Sequence, residues 1–145
     1  MTSGTRPDWD PYFMGFARAA AVRATCDRKQ VGAVIVVDRQ VAATGYNGSV
    51  RGMPHCDEVG HDMVDGHCVR TIHAEMNALA QGARRGLRLE GAWIYATASP
   101  CWACFRVLVN AGMQRFHRAS REHPGPRDSI ALESPRGQPE LSLTP

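Results

Sequence analysis

Two short segments restrict this chain more than any others: "HAE", His73 to Glu75, and "SPCWAC", Ser99 to Cys104. Each opens a run of helix-forming residues and follows an extended apolar stretch. Cys101 and Cys104 stand at i and i+3, a spacing that projects both sulfurs from one helix face. Their place in a first helical turn, beside free N–H groups and the positive dipole end, favours thiolates. Thiolates are what Zn2+ binds. With His73 as third ligand the fourth tetrahedral position stays open for water, as in catalytic rather than structural zinc sites. Any fold that uses this triad must bring the starts of two helices together.

Glu75 completes the chemistry. Two thiolates and a neutral imidazole leave the centre formally neutral and weak as a Lewis acid. A nearby carboxylate is then needed to take a proton from the water. Glu75 lies two residues beyond His73 and points elsewhere, which suits a proton shuttle and not a ligand. Cys-x-x-Cys alone would fit a redox pair or a structural zinc equally well. A thioredoxin-like pair, however, follows an early strand, and this pair comes late.

The surrounding chain is that of one domain: 145 residues, 43% apolar and 21% charged. Its net charge of +3 is almost wholly arginine, Lys29 being the only lysine. That excess suits an anionic small molecule as well as RNA. No apolar run approaches the roughly 20 residues of a membrane span, and "MTSGTRPDWD" lacks the apolar core of a signal peptide. The cytoplasm is the expected location, with thiols reduced. Five cysteines, an odd number, suit ligands better than a disulfide framework.

Periodicity predicts a first helix over "WDPYFMGFARAAAVRAT", with Phe13, Phe16, Ala17 and Ala20 on its apolar face and Asp8 or Asp10 at its start. "QVGAVIVV", "DRQ" and "VAATGY" predict a hairpin of two core strands. Residues 47 to 69 form a long loop without clear periodicity, uncommon unless functional or stapled. "RTIHAEMNALAQGARR" is a second helix with Gly86 as its stop, and "AWIYAT" a buried strand. "PCWACFRVLVNAG" is a third helix opened by Ser99 and Pro100 and closed by Gly112, and "QRFHRA" a short strand. The alternation predicts an α/β fold, a three-layer α/β/α sandwich around a mixed central sheet. A domain over residues 1–120 is followed by a proline-rich tail, 121–145, whose composition predicts disorder or loose packing. His117 reads as a sheet-edge or core residue. Trp93 and Trp102 read as packing residues, with Trp102 able to border the pocket.

These motifs, with "WDPYFMGFA", "QVGAVIV", "ATGYNG", "RTIHAEMNAL" and "LEGAWIYAT", resemble the deoxycytidylate (dCMP) deaminase family of the zinc-dependent cytidine deaminase superfamily, from about Trp9 to Ala119. The resemblance implies a cytidine deaminase-like fold and hydrolysis of dCMP to dUMP and ammonia. It implies that His73, Cys101 and Cys104 bind Zn2+ and that Glu75 carries the proton to the pyrimidine N3. Asn47 would hydrogen-bond the sugar or base edge, and Arg84 would hold the 5′-phosphate. It also implies a second, structural zinc held by Cys26 and Cys56, with Cys68 and with His61 in preference to His67. A homo-oligomer is expected on the same grounds.

The chain departs from the family in three places. Val50 replaces a common proline, tyrosines are missing after Met113, and a last helix and strand are not evident. Rival readings are a deaminase of the same fold acting on cytidine, a guanine-type base or tRNA adenosine, and a non-catalytic zinc-stapled binding module. Nucleic acid ranks lower as a partner, since the tail alternates its arginines with acids and prolines.

Overall fold

A computed structural model describes residues 4–119 and, further on, the backbone of 129–131. In chain order the elements are α1 (Trp9–Ala21), β1 (Gly32–Val37), β2 (Gln40–Tyr46), β3 (Gly48–Ser49), α2 (Cys56–Val59), β4 (Met63–Val64), β5 (His67–Cys68), β6 (Thr71–Ile72), α3 (Ala74–Arg84), β7 (Trp93–Ala96), α4 (Trp102–Asn110), β8 (Arg115–Arg118) and β9 (Ser129–Ala131). Five of the strands make one sheet in the order β2-β1-β7-β8-β9. It is mixed: β7 and β8 run parallel, and the other neighbours antiparallel.

The side-chain alternation of β1 divides the core in two. Val34 and Val36, with Tyr95 of β7, face α1 and pack on Phe13, Met14 and Ala17. Ala33 and Ile35, with Ile94 and Phe116, face α3 and α4 and pack on Ala74, Ala78, Cys104 and Leu108. Both faces being covered, β1 reads as an unbroken apolar run. The result is a three-layer α/β/α sandwich. Gly32 and Gly45 allow the close layers: a Cβ on Gly32 would meet Ala17 and Ala21 of α1, and one on Gly45 would meet Ala74 and Ala78 of α3.

The hairpin turn is made by Asp38 and Arg39, both at positive φ (49° and 59°). That is the twist a two-residue connection needs. Partway along, the β1–β2 register shifts, leaving Ala42 unpaired with β1. Its carbonyl accepts from the Arg85 guanidinium at 2.7 Å.

The structure departs from the sequence reading in several places. Phe16 is 39% exposed and stacks edge-on with Tyr12, because the stripe that meets the sheet is Phe13, Met14 and Ala17. Ser99 does not open α4. Cys101 is the N-cap, its sulfur accepting from the Cys104 N–H at 3.4 Å, while Ser99 Oγ accepts from Arg118. The loop over 47–69 carries one helical turn, α2, and short ladders. The tail, 121–145, lies outside the described residues except for β9, whose backbone pairs with β8 at the sheet edge.

Candidate active site

His73 is the N-cap of α3 and Cys101 the N-cap of α4, so the two helix starts meet at one end of the sheet. His73 Nδ1 lies 3.5 Å from Cys101 Sγ and 3.4 Å from Cys104 Sγ. With Zn–S of about 2.3 Å and Zn–N of about 2.0 Å at tetrahedral angles, a sulfur and a nitrogen ligand stand about 3.5 Å apart. The three side chains therefore already have the spacing of a zinc-bound set. His73 and Cys101 are exposed, leaving an open side, while Cys104 is buried.

Burial pushes the Cys104 thiol up, and the charge of Glu75 and the Cys101 sulfur add to it. The helix start alone does not make this thiolate, contrary to what its place in the sequence suggests. A bound cation does, since a coordinating thiol is deprotonated outright.

Glu75, in the first turn of α3, is 4% exposed. Burial raises its carboxyl, opposed by its own backbone N–H and by the charges of His73 and Lys29. Glu75, His73 and Cys101 line one cavity of about 340 Å3. A carboxyl shifted toward holding a proton, beside an open coordination position, is suited to carry protons and not to bind metal.

Asn47 also lines this cavity. Its side chain is a clamp: Oδ1 accepts from Val31 N–H at 2.7 Å, and Nδ2 donates to the Lys29 carbonyl at 2.6 Å. One N–H and one lone pair of the amide remain for a ligand. Asn77 ties α3 to the end of β2, donating to the Tyr46 carbonyl at 2.8 Å.

Arg84 is not brought to this cavity. It closes α3, an 11-residue helix about 16 Å long, at the end opposite His73. There it donates to Gln81 and lines a separate cavity of about 590 Å3 with Tyr46, Ser49, Arg51 and Arg85. Within one chain, the arginine expected at the phosphate thus faces elsewhere. Trp102 does not line the catalytic cavity either; it is 50% exposed and stacks on Phe105. His117 is buried against Tyr95, ring centroids 4.2 Å apart.

The second group is equally compact. Cys26, Cys56, His61 and Cys68 bring their ligand atoms within 4.8 Å of one another. Cys26 Sγ is 3.6 Å from His61 Nδ1, and Cys56 Sγ is 3.7 Å from Cys68 Sγ. Two zinc-bound sulfurs would stand about 3.8 Å apart, whereas a disulfide would need about 2.05 Å. His67 lies apart from the cluster and lines the catalytic cavity. Burial and the neighbouring thiols push Cys56 up to about 12. For Cys68 burial is outweighed by hydrogen bonds from the Asp62 and Arg70 backbone and from His61, and the thiol falls to about 6.

Three residues missed in the sequence reading matter here. Asp27 Oδ1 lies 3.0 Å from His61 Nε2, which fixes the tautomer that leaves Nδ1 for a metal. Arg28 and Lys29 line the catalytic cavity. Their adjacency to Cys26 was the available signal, but only the closed loop shows where it delivers them.

Against known proteins, the model for the cytidine and deoxycytidylate deaminase zinc-binding region matches residues 7–119. The chain belongs to this family, and Zn2+ is its cofactor. It is 45% identical over 121 residues to the ComE operon protein 2 of Bacillus subtilis (strain 168), covering 82% of this chain and 64% of that protein. It is 42% identical over 123 residues to the deoxycytidylate deaminase of Mycobacterium phage D29, covering 77% of this chain and 94% of the phage protein. Among solved structures, the dCMP deaminase of cyanophage S-TIM5, in complex with dCMP and dUMP, superposes with a TM-score of 0.69. That match has 27% identity and covers 79% of this chain and 82% of the other. Among the described residues no helix is long and apolar enough to cross a membrane.

Proposed function

We propose that this protein hydrolyses dCMP to dUMP and ammonia. The observation that carries the reading is the convergence of His73, Cys101 and Cys104 beside a buried carboxylate, Glu75, in one open cavity. Relatives named deoxycytidylate deaminase, among them the phage protein matched over 94% of its length, supply the substrate.

His73, Cys101 and Cys104 would hold the metal, which would supply an acidified water. Glu75 accepts that water's proton, aided by a burial that favours its neutral form, and delivers it to the pyrimidine N3. With the water's oxygen bonded to C4 and that proton on N3, Glu75 passes the remaining hydroxyl proton to the amino group, whose bond to C4 breaks to release ammonia and leave the C4 carbonyl of dUMP. Asn47 keeps its free amide positions for the sugar or base edge while holding the chain at Lys29 and Val31. Cys26, Cys56, His61 and Cys68 hold a second, structural zinc that staples the loop over 47–69. The deaminase unit spans residues 1–120, acts in the cytoplasm and assembles as a homo-oligomer.

The test is a substrate panel of dCMP, deoxycytidine, cytidine and tRNA with zinc quantified in parallel. Wild type is expected to release ammonia fastest from dCMP. Glu75→Gln should keep its zinc and lose about 10²–10⁴-fold in kcat. Undiminished turnover in Glu75→Gln would remove the carboxyl's role in proton transfer, and a zinc-loaded wild type that turns over nothing in the panel would return the chain to a zinc-stapled binding module. Preference for tRNA or cytidine would replace the substrate.

A further inference from the structure

The two basic residues that line the catalytic cavity, Arg28 and Lys29, come from the loop between α1 and β1, not from α3. This loop is pinned on both sides of them. Upstream, Cys26 sits in the second Cys/His cluster. The Thr25 N–H donates to the Asn47 carbonyl at 3.1 Å, and Thr25 Oγ1 accepts from Ser49 N–H at 3.0 Å. Downstream, the Asn47 side chain grips the Lys29 carbonyl and the Val31 N–H. Arg28 itself reaches across to the Gly66 carbonyl, 3.4 Å from Nη2. A cation pair on a backbone held this way is preorganised, so little ordering cost remains when an anion arrives.

The cavity also needs positive charge. The carboxyl of Glu75 lies at its buried end, and a nucleotide entering base-first brings a phosphate dianion toward the mouth. Arg28 and Lys29 are placed to offset that charge. A guanidinium fork matches two phosphate oxygens, and an ammonium adds a point charge.

Resting on the nucleotide reading above, we propose that Arg28 and Lys29 form the phosphate subsite of the catalytic cavity, and that Arg84 does not hold the substrate phosphate. The pair thereby makes the enzyme select nucleotide over nucleoside.

The experiment compares kcat and KM for dCMP and deoxycytidine in wild type, Arg28→Gln, Lys29→Gln, Arg28→Lys and Arg84→Gln, all checked for zinc content and circular dichroism. Loss of one charge-assisted contact is expected to lower kcat/KM for dCMP about tenfold or more, chiefly through KM. In Arg28→Gln deoxycytidine turnover should stay within about twofold of wild type, while in Lys29→Gln the loss should be larger for dCMP than for deoxycytidine. Arg28→Lys should recover part of the loss, and Arg84→Gln should change neither substrate. Calorimetry of dUMP and deoxyuridine on the Glu75→Gln background gives the same comparison without turnover. A dCMP preference undiminished in both Arg28→Gln and Lys29→Gln, or lost in Arg84→Gln, overturns the assignment. Wild type inactive on both substrates would count against the deaminase reading instead, and dUMP binding would then decide the subsite alone.

Discussion

At Cys104 two opposing effects meet: a helix start that favours a thiolate, and burial beside Glu75 that favours the thiol. Burial and the charge of Glu75 push the thiol up, so the helix start alone does not set the sulfur's state. The same balance recurs at His117, on the far face of the sheet. Burial lowers its basicity; Asp10, 3.7 Å away, works against this, and Arg115 works with it. Since the folded-state value lies below that of the unfolded chain, the unfolded state binds more protons in between. Stability is therefore full above about pH 6.5 and falls as pH drops through the folded-state value. Urea midpoints measured from pH 7.5 to 5.5 should decline, and His117→Gln should flatten the decline. An identical slope in the variant would contradict this origin. The grouping of His73, Cys101 and Cys104, with Glu75 on the same cavity, was legible because the residues lie in motifs that open two helices. The place of Arg84 was not legible, because spacing along α3 does not say which end of the helix a cavity uses.

Among the elements, α3 is the one that must be placed accurately, since it carries both His73 and Glu75. Its seat is Gly45 of β2, where a Cβ would strike the Ala74 carbonyl and the Ala78 N–H. Gly45→Ala should push the start of α3 outward, destabilising the fold by about 1–3 kcal/mol and weakening zinc binding. Thermal melting and a competition chelator measure the two effects. Wild-type values for both would show that the close approach is not needed. Element types followed from pattern because β1 is apolar throughout and α1, α3 and α4 carry helical stripes. The start of α4 was misplaced because a cysteine sulfur took the capping role usually given to Ser99's residue type. The short pieces between Gly48 and Ile72 escaped notice because contacts across the loop, not local periodicity, define them.

For the molecule as a whole, the two Cys/His groups are neighbours. Cys26 and Cys68 of the second group line the same cavity as His73 and Cys101 of the first. On the proposed reading, a metal staple at Cys26 would shape the wall of that cavity. Wild type is expected to carry two zinc ions per chain. Replacing Cys26 and Cys56 with alanine should leave one, with faster proteolysis between residues 47 and 69 and a lower Tm. For a chain of this size each kcal/mol lost corresponds to roughly 4 °C. Unchanged stoichiometry would remove the second site. The sandwich itself was legible in the order of helices and strands. The way two distant cysteines and a histidine wall the cavity was not, because it depends on how a loop closes.

The central claim is that one ion sits between the imidazole at 73 and the sulfurs at 101 and 104, with the carboxylate at 75 facing its open side. A crystal of the zinc-loaded Glu75→Gln protein soaked with dCMP, with an anomalous map at the zinc edge, tests it most directly. The account predicts a peak about 2.0–2.3 Å from His73 Nδ1 and both sulfurs, with the pyrimidine C4 turned toward it and residue 75 uncoordinated. A bond joining the two sulfurs, or a metal bound elsewhere with this cavity empty of nucleotide, would contradict it.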